Sequence, residues 1–90
     1  MRVIHKQQIP LGPGEFSITL PRGAVILDVQ RQNNSGNLCM WYLLAAGAAY
    51  EEKKLYVFGT GQHIPDGLKL AYVATYQEGG FVWHIFEEFV

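Results

Sequence analysis

Residues 24–45 read AVILDVQRQNNSGNLCMWYLLA, and the division of this stretch decides the fold. Its apolar residues do not recur at the three-and-four spacing of a helix. Instead a β-branched run meets the polar cluster Asn33-Asn34-Ser35-Gly36-Asn37, and a second apolar run follows. Asn and Gly tolerate the left-handed backbone that hairpin turns need, so 24–32 is predicted to pair antiparallel with 38–45. Alternation then places Val25, Leu27 and Val29 on the core face and Asp28, Gln30 and Gln32 in water. The run LCMWYLLA is apolar on both faces, as suits a central or doubly covered strand.

The same pattern continues outward. Upstream, EFSITL at 15–20 sets Phe16, Ile18 and Leu20 against Glu15, Ser17 and Thr19, Pro21-Arg22-Gly23 turns the chain, and RVIHKQQI at 2–9 reads as an edge strand. Downstream, AGAAYEEKK at 46–54 is expected to be a solvated loop, KLYVF at 54–58 a strand, and LKLAYVATYQ at 68–77 another. Glu78-Gly79-Gly80 is a tight hairpin connection to FVWHIFEEF at 81–89. There Phe81, Trp83, Ile85 and Phe89 share one face, and Val82, His84, Phe86 and Glu88 the other. Seven short strands punctuated by Gly, Pro and Asn, with no helix, predict an all-β fold: a small antiparallel β-sandwich or partly open barrel, one domain over 1–90.

Composition narrows the function classes. Charged residues are only 17% of the 90 and the net charge is −1, with no basic stripe. That argues against nucleic acid, whose binding draws on phosphate neutralisation. Ninety residues bury a modest fraction of their surface, and free strand edges invite pairing, so a homo-oligomer is expected. The single cysteine, Cys39, permits no intramolecular disulfide and fits a reducing compartment. With no long apolar segment, the expected setting is cytoplasmic, with no membrane.

Candidate chemistry centres on YVFGTGQHIPDG at 56–67. A Gly-x-Gly after a strand can form an amide nest for an anion, with Thr60 adding a hydroxyl and His63 an imidazole. The stricter phosphate motifs are absent, since no lysine precedes the threonine and no third glycine opens a helix. The alternative is a turn, with Pro65-Asp66-Gly67 supplying its second bend. His5, His63 and His84 show no metal-ligand spacing, so no metal and no cofactor is expected. Cys39 lies in an apolar strand, and Glu51-Glu52 and Glu87-Glu88 are strand neighbours that point apart, which leaves no catalytic set and predicts a non-enzyme. Tyr72 and Tyr76, if they share the exposed face of the last strand, would join His84 in an aromatic patch.

The segments LPRGAVILDVQRQNNSGNLCMWYLL, VFGTGQHIPDG and GGFVWHIFE resemble a family of small bacteriophage and prophage proteins of unknown function. The resemblance implies a viral origin, work in the host-cell cytoplasm and an accessory role. The expected function is therefore a non-enzymatic binding protein that counteracts host defence, either by masking a host protein or by sequestering a small anionic, nucleotide-like ligand. The expected ligand contacts are Gly59, Thr60, Gly61, His63, Arg22, Trp83 and His84. The alternative is a structural or assembly component of a phage particle.

Overall fold

The computed structural model describes residues 1–32 and 36–89. Seven strands follow in order: β1 (Arg2–Ile9), β2 (Gly14–Pro21), β3 (Val25–Gln32), β4 (Asn37–Ala45), β5 (Tyr50–Gly59), β6 (Leu70–Glu78) and β7 (Phe81–Glu88). They form two antiparallel sheets, one ordered β1-β4-β3 and the other β2-β5-β7-β6. The sheets pack as an open sandwich rather than a closed barrel, and they come closest along β3 and β6.

Alternation drives this packing. β4 sends Leu38, Met40, Tyr42 and Leu44 inward, where they meet Ile18 and Leu20 of β2, Leu55 and Val57 of β5, and Ile85 of β7. Burying one such aliphatic side chain contributes about 1.5–3 kcal/mol, and these residues form a single cluster. β4, the middle strand of its sheet, is apolar on its other face too, where Cys39, Trp41 and Leu43 lie between β1 and β3. Cys39 is nonetheless buried, and the Lys6 ammonium reaches Gln32 Oε1 at 2.6 Å, close to the Cys39 Sγ, which lies 3.7 Å from the same oxygen.

The predicted hairpin pairing of β3 with β4 is present. Its turn residues Asn33, Asn34 and Ser35 lie outside the described residues, and Gly36 beyond them takes φ 87°. The Pro21–Ala24 turn closes with the Ala24 amide on the Pro21 carbonyl, and Gly23 at φ 80° supplies the left-handed step.

Three expectations need correction. Val25 and Leu27 do not face the core: they are 55% and 48% exposed, while Ile26 packs inward and Val29 is buried. The register slips between Ile26 and Asp28, so Leu27 is an extra residue opposite β4 and the alternation reverses across it. Secondly, the run 50–53 is strand rather than loop, pairing with β2 from Tyr50–Pro21 to Lys53–Ile18. Its alternating charges are accommodated along the pleat: Lys53 lies 3.9 Å from both Glu51 and Glu87, and Lys54 lies 3.5 Å from Glu15. Thirdly, Tyr72 and Tyr76 do not share a face. A bulge between Tyr72 and Ala74 turns Val73 toward the core, so Tyr72 points out and Tyr76 points in.

The buried Tyr76 ties the β1–β2 connection to the core, since its hydroxyl accepts the Gly12 amide proton at 2.9 Å. Burial holds this hydroxyl above its ordinary pKa of 10.0, partly offset by the Gly12 bond. The neutral form is thus favoured in the folded state, and the associated stability is complete below pH 10.0 and is lost as pH rises through the folded value. Urea unfolding at rising pH should show stability falling above that point. Tyr76→Phe should lower stability at neutral pH by about 1 kcal/mol, by orphaning the Gly12 amide, and should make the alkaline decline shallower. An unchanged alkaline slope would assign the decline to Tyr42, whose hydroxyl is raised by burial and by Tyr50.

Candidate functional site: the outer face of the four-stranded sheet

β5 and β7 are neighbours, and Phe58–His84 and Tyr56–Phe86 are register partners on the face turned away from the core. β6 adds Tyr72 opposite Phe86 and Thr75 opposite His84. These placements create two adjoining clusters. In the first, His84 Nε2 pairs with Thr60 Oγ1 at 2.8 Å and His84 Nδ1 with Thr75 Oγ1 at 3.1 Å. The Tyr72 hydroxyl extends the chain, 2.8 Å from Thr75 Oγ1. Hydroxyls donate or accept as required, so the imidazole is held on both sides in either tautomer.

The second cluster is an aromatic row. Tyr72 meets Phe86 edge-on with centroids 5.9 Å apart, Phe86 lies 6.2 Å from Phe58, and Phe58 stacks parallel to Tyr56 at 6.1 Å. Phe58 is buried although it points away from the core, because its neighbours in this row cover it. The Lys54 ammonium sits 5.5 Å from the Tyr56 ring centroid, and its bond to the Tyr56 hydroxyl, then the charge of Glu15, raises its pKa. Edge-to-face and offset contacts of this kind are favoured by the ring quadrupoles.

The Gly-Thr-Gly segment is a turn with most of its amides occupied. Gly59 N–H donates to Gln62 Oε1 at 2.9 Å, Gln62 N–H to the Gly59 carbonyl at 3.0 Å, and Thr60 N–H to the Val82 carbonyl at 3.3 Å. Gly61 bends the chain at φ 87° and Gly67 closes the second bend at φ 92°. His63 stands exposed on the loop between them.

The residues expected to act together are divided by the sheet. Thr60 and His84 meet directly. Trp83, one position before His84, points to the opposite face, where Phe81 stacks on it at 5.3 Å and its indole N–H donates to Glu78 at 3.1 Å. Arg22 lies 3.7 Å from Glu51 near the start of β5, whereas Gly59 ends that strand. Nine residues of strand span about 30 Å, so Arg22 and the glycine turn sit at opposite ends of the sheet. Sequence reasoning missed Thr75, Tyr56 and Phe58. The last two were readable from alternation against Leu55 and Val57, but Thr75 shares a face with Tyr72 only because of the Val73 bulge.

The arrangement is suited to binding. A hydroxyl beside an imidazole is half of a nucleophilic relay, but the position that would carry an orienting carboxylate is taken by Thr75. Among the described residues no three His, Cys, Asp or Glu side chains group to hold a metal.

A family described as a domain of unknown function, DUF7352, matches residues 1–89. The chain belongs to this DUF7352 family. No curated protein and no solved structure matches it. The reading of the DUF7352 face therefore rests on the geometry of the chain itself.

Gly59 has one further constraint. A Cβ there would stand 3.1 Å from Trp83 Cζ3, and the indole is backed by Phe81 and fixed by Glu78, so it has little room to retreat. Gly59→Ala should lower stability by about 1 kcal/mol and Gly59→Val by more, within the roughly 1–3 kcal/mol typical of overpacking. Trp83→Phe combined with Gly59→Ala should recover part of the loss in a double-mutant cycle of urea unfolding; strict additivity would place the clash elsewhere.

Proposed function

We propose that this DUF7352 protein is a non-enzymatic accessory protein of phage or prophage origin that works in the host cytoplasm by masking the surface of a host protein. The contact is made by the outer face of the β2-β5-β7-β6 sheet. The observation that carries this reading is Tyr72: a large aromatic, 63% exposed, yet fixed by a hydrogen bond to Thr75 and by the edge of Phe86. A side chain already held in place loses little freedom on association, and Tyr is among the residues that dominate protein interfaces.

Masking is favoured over sequestering a small anion for two reasons. Two of the three Gly-Thr-Gly amides that would cradle an anion, those of Gly59 and Thr60, already have intramolecular partners, and Arg22, the expected counter-charge, lies near the far end of β5. The Thr60–His84–Thr75–Tyr72 chain instead presents an extended polar strip beside an aromatic row, the mixed character of a protein contact.

Photo-crosslinking in expressing cells tests the proposal. A benzoylphenylalanine at position 72 should give one discrete adduct with a host protein, while the same probe at position 8, on the outer face of the three-stranded sheet, gives none with a host protein, and His84→Ala should reduce the adduct at least about tenfold. Equal adducts from both positions would overturn the assignment of the face. A small anionic compound released on denaturation in native mass spectrometry would replace masking by sequestration, and a ladder of adducts to the chain itself would favour an assembly role.

A further inference from the structure

Among the described residues nothing covers the outer face of the three-stranded sheet, and its side chains form cross-strand rows. Ile4 of β1, Leu43 of β4 and Val25 of β3 are register partners, and Ile4 and Val25 are each 55% exposed. The next row is Lys6, Trp41 and Asp28, and the one after it Gln8, Cys39 and Gln30. An apolar row thus adjoins a row in which one cation and one anion flank a tryptophan at the same level of the sheet.

We infer that this face binds a second copy of the chain, stacked face to face about a two-fold axis that runs along β4. A sheet of three strands has a middle strand, and a two-fold axis lying over it in the contact plane exchanges the strands on either side. β1 of one copy then lies over β3 of the other. Trp41 meets the partner's Trp41, Ile4 meets the partner's Val25, and Lys6 meets the partner's Asp28, so the charge pair forms twice. A two-fold axis running across the strands offers no such match, because it lays each strand over its own copy and so keeps Lys6 over the partner's β1, away from the partner's Asp28 on β3. The four-stranded sheet has no middle strand and carries no equivalent pattern.

Both charged groups are disposed for this exchange. The Asp28 carboxylate is fixed by the Val29 amide at 2.8 Å and by Gln30 Nε2 at 2.6 Å, which leaves acceptor capacity for a partner cation. Lys6 is held by Gln32 Oε1 at 2.6 Å in the single chain, and its flexible stem lets the ammonium swing outward. Ordinary strand spacing and rise make the face roughly 14 by 26 Å, about 700 Å² of projected area over the two copies, below the roughly 1,000 Å² of a stable specific interface. The dimer is accordingly weak, with dissociation in the micromolar range, and packs with the two sheets within about 30° of parallel.

Sedimentation velocity across the micromolar range, with far-UV circular dichroism as a check of folding, tests the inference. The natural chain should pass from monomer to dimer. Lys6→Asp alone and Asp28→Lys alone should each weaken self-association at least about tenfold, by placing like charges opposite one another. Mixing the two variants should restore a heterodimer, because the face of the first then carries only carboxylates in this row and the face of the second only ammonium groups. Trp41→Ala should weaken every form. The mixture also guards against misfolding, since variants that fail to fold cannot rescue each other. A monomer at all concentrations, a dimer indifferent to both charge reversals, or a mixture no better than its parts would each overturn the proposal.

Discussion

Two extra residues, Leu27 in β3 and Val73 in β6, set the arrangement on which the other features depend. A bulge reverses the alternation beyond it, bends its strand and increases local twist. β3 and β6 are the strands at which the two sheets approach, so both sides of that junction are bent. The inward set is changed as well. Ile26 and Val29 both reach the core from β3, and Val73, Ala74 and Tyr76 reach it from β6. In regular strands those sets would be split between core and water.

The outward face follows from the same slip. Tyr72 and Thr75, three residues apart, come to lie on one side, and there they complete the hydrogen-bonded chain through His84 to Thr60. β7 then separates two tasks residue by residue. Trp83 packs inward on the bare backbone of Gly59, while His84 is held outward by two hydroxyls. The outward hydrogen-bonded chain and the packed interior are thereby supported by adjacent positions of a single strand, with neither Trp83 nor His84 serving both.

Much of this architecture was readable from residue order. β2, β4 and β7 alternate or run apolar over eight or nine residues, and their inward sets appear where that pattern places them. The start of β5 was hidden because Glu51, Glu52, Lys53 and Lys54 carry no strand preference of their own; pairing with β2 and ion pairs along the pleat make them strand. The bulges were hidden for a different reason. An extra residue leaves no mark when it is apolar like its neighbours, as Leu27 and Val73 are. The candidate site inherits this limit. Thr60 and His84 were both singled out, but their contact depends on which strands are neighbours, and Thr75 depends on a slip in register.

The strand order also dictates how the chain must assemble. β7 lies inside its sheet, bonded to β5 on one side and β6 on the other, although it is the last strand of the seven. β2 and β5 can pair before it, and β6 and β7 can form a hairpin, but neither half buries Leu55 and Ile85 together until β7 docks. A growing chain therefore holds an unfinished sheet with an open β5 edge until residue 88 has been made, and it closes the core in a late, long-range step of the kind that makes β topologies slow to fold. Shortening β7 removes the strand that joins the halves rather than trimming an edge.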